Sequence, residues 1–317
     1  MHPLAPRGNW ATILLPLGQE DEILMEALAD QVAALAAAGV DGVYTNGTAS
    51  EFYNQTEQEF SALTAEILRL CRKHGLPLQI GVSHPFPVMT LQRIRRWRDE
   101  RPAAFQVILP DWFPPKMPEV IAFLQRIAQE AGPVPLVLYN PPHAKVRLTP
   151  AQLLEVVNAI PNLCGIKVPG GDEEWYAQMQ PVLERISVFI PGHHVATGIS
   201  RGALGSYSNV ACLSPAGAQA WYHETQTDLA SAIQREKRVR AFMDEVIVPY
   251  IVRDGYSNQS VDKLMAAAGG WCPISSRLRW PYRWLGPEVV RTVRSEANSR
   301  LPEFMQPSPT FHMRTVT

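Results

Sequence analysis

The sequence predicts an α/β fold, a TIM-type (β/α)8 barrel with a C-terminal helical extension. Three observations predict it. Short runs rich in Val, Ile and Leu alternate with longer stretches of helical period from Asn9 onward. Eight such alternations occur before strand signals stop at Pro215, and eight favour a closed barrel over an open sheet. The length of 317 residues holds one barrel of about 250 residues with an appendage.

The strand candidates are residues 10–15, 42–45, 78–82, 105–109, 136–139, 165–167, 188–190 and 204–206, the last with the weakest pattern. Amphipathic stretches at 22–38, 57–73, 118–131 and 149–159 supply helices, two of them opening on a Pro or Thr-Pro signal suited to a first turn. Residues 1–214 therefore carry the barrel strands and most helices. Residues 215–300 carry the final barrel helix and the helical extension, interrupted by a Pro/Trp/Arg-rich segment at 271–284. Residues 301–317 read as a mobile tail, without core pattern from Pro307 onward.

Composition narrows the function. A hydrophobic fraction of 46%, a charged fraction of 19% and a mean hydropathy of -0.10 are enough to bury a large core. A net charge of -1, from 29 basic and 30 acidic residues, leaves no footprint for nucleic acid. The densest basic stretch, 93–101, interleaves Ile94 and Trp97 at helical spacing and predicts a solvated helix face. Cys71, Cys164, Cys212 and Cys272 are widely spaced and form no metal-ligand pattern, so reduced core residues are expected rather than zinc ligands or disulfides. No apolar run reaches the roughly 18 residues that span a bilayer, and no signal-peptide pattern precedes the barrel. A cytoplasmic protein without a membrane partner is the expectation.

In a barrel of this type the chemistry gathers where the strands end. Lys167 closes an apolar run, where desolvation disfavours the ammonium and a neutral amine can attack a ketone. A lysine snorkelling from a strand end is the structural alternative. Tyr139 closes the preceding run and can shuttle a proton. The small residues of the turn Gly47-Thr48-Ala49 let backbone N–H groups face a carboxylate. His193 and His194 follow the seventh run, and Tyr207 follows the eighth as a further candidate contact.

Together these residues resemble the dihydrodipicolinate synthase and N-acetylneuraminate lyase family, over residues 9–300. Gly47-Thr48-Ala49-Ser50-Glu51 is similar to its GTTGE or GSTGE turn, Leu138-Tyr139-Asn140-Pro141-Pro142 to its YNxP strand end, and Gly165-Ile166-Lys167 to its GIK lysine. The resemblance implies that Lys167 forms an imine with the C2 carbonyl of pyruvate or a related 2-keto acid. It implies that Tyr139 moves the protons of imine formation and that Thr48 hydrogen-bonds Tyr139. Gly47 and Ala49 would bind the substrate carboxylate. The imine is the electron sink, so no cofactor and no metal is implied. A homo-oligomer, a tetramer built from dimers, is implied as well.

Departures from the family pattern shape the expected activity. Ala49 lacks the hydroxyl found at its place in the turn. Trp112 stands where synthases carry a tyrosine that reaches into the neighbouring subunit, and indole only donates. Ala144, with Lys145 beside it, replaces an arginine that binds the second substrate, and Asp111 replaces a tyrosine near the lysine-feedback site of some synthases. His193 and His194 lie where sialate lyases contact sugar hydroxyls. The resulting expectation is a Schiff-base lyase, aldolase or dehydratase, acting on a 2-keto-3-deoxy sugar acid or a similar pyruvate-releasing 2-keto acid. Trp112, Lys145, His193 and Tyr207 are its candidate substrate contacts. A 4-hydroxy-tetrahydrodipicolinate synthase and a non-catalytic binding paralogue are the alternatives. A sugar-phosphate aldolase is set aside, because the glycines at 202–205 run into a strand instead of forming a phosphate loop.

Overall fold

Eight parallel strands pair in sequence order and close on themselves in a computed structural model that describes residues 5–305. They are β1 (Gly8–Thr12), β2 (Gly42–Thr45), β3 (Leu78–Gly81), β4 (Ala104–Val107), β5 (Leu136–Tyr139), β6 (Leu163–Lys167), β7 (Ser187–Pro191) and β8 (Gly205–Tyr207). Each coincides with a predicted run, with shifts at the ends. β1 stops at Thr12 although the apolar run continues to Leu15, because a side chain takes over the next backbone groups. The buried amide of Gln31 accepts from Leu14 N at 2.6 Å and donates to Leu14 O at 3.0 Å. β8 starts and ends one residue later than the pattern suggests. Its first residue must be glycine, since a Cβ there would lie 2.1 Å from the carbonyl oxygen of Gly8.

The helices are α1 (Met25–Ala37), α2 (Glu57–His74), α3 (Pro87–Trp97), α4 (Met117–Ala131), α5 (Pro150–Ala159), α6 (Glu173–Leu183), α7 (Val195–Ser200), α8 (Val210–Leu213) and α9 (Pro215–Thr227). Capping boxes open α2 (Thr56 with Glu59) and α5 (Thr149 with Gln152) and fix where each begins. α9 packs on β1 and α1 and so completes the outer ring. The extension follows as α10 (Leu229–Phe242), a π-helical turn at Met243–Ile247, α11 (Val248–Val252), α12 (Asn258–Gly269) and α13 (Pro287–Arg300). α12 lies against α8 and the Thr48–Ser50 turn, which carries it across the mouth of the barrel.

Two separate apolar clusters result. The larger fills the space between strands and helices. The smaller fills the barrel interior with Trp10, Tyr44, Ala104, Val137, Cys164, Phe189 and Tyr207. All four cysteines are buried and free. No helix among the described residues is long and apolar enough to cross a membrane.

Two sequence expectations require correction. The basic stretch at 93–101 is not solvated throughout, because Arg93 is only 2% exposed. Its guanidinium donates to both oxygens of Glu57, at 3.1 and 3.2 Å from Nε, and stacks 3.9 Å above the Phe60 ring. Residues 301–305 are not a mobile tail, since Leu301 and Phe304 are buried and Phe304 stacks edge-on against Trp221. The remainder of the predicted tail, 306–317, lies outside the described residues.

Candidate active site

A break in register between β5 and β6 builds the centre of the site. The pairing slips between Leu136 and Val137, so that Cys164 is skipped and Val137, Leu138 and Tyr139 pair with Gly165, Ile166 and Lys167. Tyr139 and Lys167 consequently share the last rung of the ladder at the C-terminal mouth. Lys167 Nζ lies 4.1 Å from the centre of the Tyr139 ring and 5.1 Å from those of Tyr44 and Tyr207. Three aromatic faces thus surround the amine and supply little hydration. Burial lowers its pKa to about 8, with the Asp262 charge acting in the opposite direction. Burial raises the Tyr139 phenol above its ordinary value, Asp262 adds to that effect, and the neighbouring Thr48 hydroxyl opposes it.

These side chains line a cavity of 350 Å³ that also receives Ala49, His193, His194 and Asn209. Tyr207 forms part of its floor, with its hydroxyl donating to Gln79 Oε1. Thr48 and Ala49 belong to a short 3-10 turn capped by Gly47. Their backbone N–H groups make no hydrogen bond among the described residues, whereas those of Ser50, Glu51 and Phe52 are bonded back to the turn. This leaves two donors at the cavity wall for an anion. Gly47 itself is not part of the lining, and a Cβ added there would lie 3.4 Å from the Tyr44 ring.

The turn is held from outside the barrel. Glu51 adopts a φ of 53°, in the left-handed region that non-glycine residues rarely occupy. Its carboxylate accepts from Lys263 Nζ at 2.7 Å and from the Arg279 backbone N–H at 3.0 Å, and Lys263 also donates to Arg277 O at 2.6 Å. The Pro/Trp/Arg-rich segment at 271–284 is therefore a clamp on the turn. Arg279 extends the clamp to Glu59, at 2.8 Å, and to the Asp21 carbonyl, at 2.7 Å.

His193 and His194 occupy a 3-10 turn directly after β7, their rings 4.1 Å apart. His193 Nδ1 lies 2.9 Å from Asn209 Nδ2, and the His193 backbone N–H donates to Asn209 Oδ1 at 3.3 Å. Burial, reinforced by the neighbouring His194, lowers the pKa of His193 to about 4. Both rings therefore face the cavity as neutral imidazoles at physiological pH, able to donate and accept with hydroxyl groups.

Besides Gly47, two further predicted contacts are not brought to this cavity. Trp112 is 87% exposed and lines an adjoining, largely apolar cavity of 650 Å³ that shares Thr48 and His143 with the first. Lys145 lines neither. Asn140 spans the loop after β5, donating to Val146 O at 2.8 Å and accepting from Leu148 N at 2.9 Å, and the loop turns Lys145 outward. There its Nζ is 3.9 Å from Asp111 and 5.5 Å from the centre of the Trp112 ring.

Sequence reasoning missed the contribution of α12. Asn258, Val261, Asp262 and Met265 all line the Lys167 cavity, the i, i+3, i+4, i+7 stripe of one helical face. The stripe is legible in the sequence. Which part of the molecule it faces is not.

The profile of the dihydrodipicolinate synthetase family matches residues 5–259. The chain belongs to this family. Members of the family are class I aldolase-type lyases, the enzyme class expected from Lys167. Among curated relatives, N-acetylneuraminate lyase of Rhizobium meliloti (strain 1021) is 24% identical over 252 residues, 76% of this chain and 79% of the relative. A 4-hydroxy-tetrahydrodipicolinate synthase of Methanosarcina mazei is 25% identical over 56% of this chain and 58% of its own length. Among solved structures, YagE, a prophage protein of the dihydrodipicolinic acid synthase family from E. coli K12 crystallised with pyruvate, has the same fold. Its TM-score is 0.81 at 18% identity, covering 92% of this chain and 98% of that one.

Proposed function

We propose that the protein is a Schiff-base lyase, an aldolase or dehydratase that acts on a 2-keto acid of the 2-keto-3-deoxy sugar acid type. The enclosure of the Lys167 amine by three tyrosine rings, on the same rung as Tyr139, carries this reading. An amine with a pKa of about 8 has a substantial neutral fraction near physiological pH and can attack a C2 carbonyl. Tyr139, with the Thr48 hydroxyl beside it, exchanges the protons of carbinolamine formation and dehydration. The free N–H groups of Thr48 and Ala49 receive the keto acid's carboxylate. His193, His194 and Asn209 are the polar groups available to hydroxyls further along the substrate.

The names of the relatives support two substrates, and specific residues favour the first. Ala144, on the wall of the outer cavity, offers no cation for a second substrate's carboxylate, and Lys145 points away. Both features disfavour a 4-hydroxy-tetrahydrodipicolinate synthase. The exposure of Trp112 and Phe113, 87% and 81%, supports a subunit boundary near the outer cavity.

Borohydride reduction in the presence of pyruvate, then of 2-keto-3-deoxy acids, followed by peptide mass spectrometry, tests the reading. An adduct on Lys167 and turnover of a 2-keto-3-deoxy acid are expected. Turnover of pyruvate with aspartate semialdehyde alone would transfer the chain to the synthases, and the absence of any adduct would leave a binding paralogue.

A further inference from the structure

Among the described residues lining the Lys167 cavity, Asp262 is the only carboxylic acid. It is half-buried at the cavity wall and makes no hydrogen bond or ion pair among the described residues, unlike Glu51, Glu57 and Glu59 nearby. Its placement is not left to chance. The next residue, Lys263, is locked into the Glu51 clamp about 100° further round the helix, which fixes the rotation of α12 and directs Asp262 toward the barrel mouth. The groups that face it are Lys167 from β6, Tyr139 from β5, Tyr44 from β2 and Cys212 from α8. His143, His193 and His194 stand further round the same cavity.

A half-buried carboxyl with no partner among the described residues, directed into a cavity that holds a candidate nucleophile, is free to act on a bound molecule. We propose that Asp262 is the catalytic acid–base group for the substrate carbon chain, exchanging the C3 proton of a 2-keto acid held as an imine on Lys167. This inference rests on the Schiff-base reading of Lys167. The carboxylate removes a proton from C3 of the iminium, the C–H electron pair becomes the C2=C3 double bond, and the iminium π pair moves onto nitrogen to give a neutral enamine. Return of that proton reverses the step, and no other reactant is consumed. Tyr139 remains assigned to the nitrogen side, with its ring against the Lys167 amine and the Thr48 hydroxyl nearby. The arrangement divides labour between two groups on opposite sides of the imine, the strand-end phenol and the carboxyl from the crossing helix. The carboxyl's pKa, raised by burial to about 7 with Lys167 opposing, suits it to both directions of transfer.

The test uses pyruvate, whose methyl protons report enamine formation by exchange in D2O, read by NMR. In Asp262→Asn the exchange rate is expected to fall by about 100-fold or more, while borohydride still traps the pyruvate adduct on Lys167. Asp262→Glu, which keeps the carboxyl, is expected to restore part of the exchange. Unchanged exchange in Asp262→Asn with trapping intact would overturn the role of Asp262 and leave the Schiff-base reading standing. Equal loss of trapping and exchange in both variants would mark Asp262 as structural and overturn its role. Absence of an adduct in the unaltered protein would overturn the Schiff-base reading and the role of Asp262 with it.

Discussion

The ammonium of Lys263 and the carboxylate of Glu51 lie 2.7 Å apart with both side chains fully shielded from solvent. Two charges taken out of water in this way are held by their mutual attraction and by the hydrogen bonds from Arg279 N and to Arg277 O. Leaving either charge alone is expected to cost about 3–5 kcal/mol, and removing both considerably less. Urea unfolding of Lys263→Met, Glu51→Gln and the double variant checks this. Costs that simply add would show that the two charges are not coupled.

The amine of Lys167 gives a direct pH prediction. Its pKa of about 8 stands below the ordinary lysine value of 10.5 because burial penalises the charged form. The neutral amine is the nucleophile, so imine formation rises with pH and reaches half its limit near pH 8 rather than above pH 10. The rate of borohydride-trapped adduct formation, followed against pH, reads the midpoint. A midpoint at the ordinary lysine value would mean that the amine is solvated.

Thr48→Val removes the hydroxyl beside Tyr139 while retaining the volume of the side chain. Turnover is expected to fall on the order of tenfold, the equivalent of about 1.4 kcal/mol and of one modest hydrogen bond. KM should change little, because the backbone N–H groups at the turn remain. Steady-state kinetics decide the matter, and an unaltered kcat would remove Thr48 from the proton path.

Gln31 substitutes for a strand neighbour at Leu14, and its loss should be felt as loss of a sheet bond would be. Gln31→Met retains bulk but leaves a buried N–H and a buried C=O without partners. A loss of about 1–3 kcal/mol for each group left unsatisfied is expected in guanidinium unfolding. An unchanged midpoint would show that water replaces the amide.

Much of the fold and the centre of the site were legible in the sequence because strand, helix and motif are local patterns. Eight apolar runs, Lys167 and Tyr139 at two strand ends, and the 47–51 turn all stand in consecutive residues. What was not legible depends on contacts distant in sequence. Nothing near Leu15 announces that Gln31 shortens β1. Arg93 reads as one charge of a surface run until Glu57 and Phe60 are brought beneath it by α2. Lys145 reads as a substrate contact, yet Asn140 turns its loop away from the cavity. Asp262 reads as an ordinary helical acid, and only the path of α12 across the barrel mouth reveals it.

The clamp on the 47–51 turn also bears on the order in which the molecule can be made. The turn leaves the ribosome early, but its buried partners, Lys263 and the backbone of Arg277 and Arg279, emerge more than 200 residues later. A nascent chain can therefore close its barrel while the turn is still without its counter-charge. Both the Lys167 amine and the turn thus precede in the chain the segment that holds the turn in place, and the α12 wall of their cavity is the last part of it to be made.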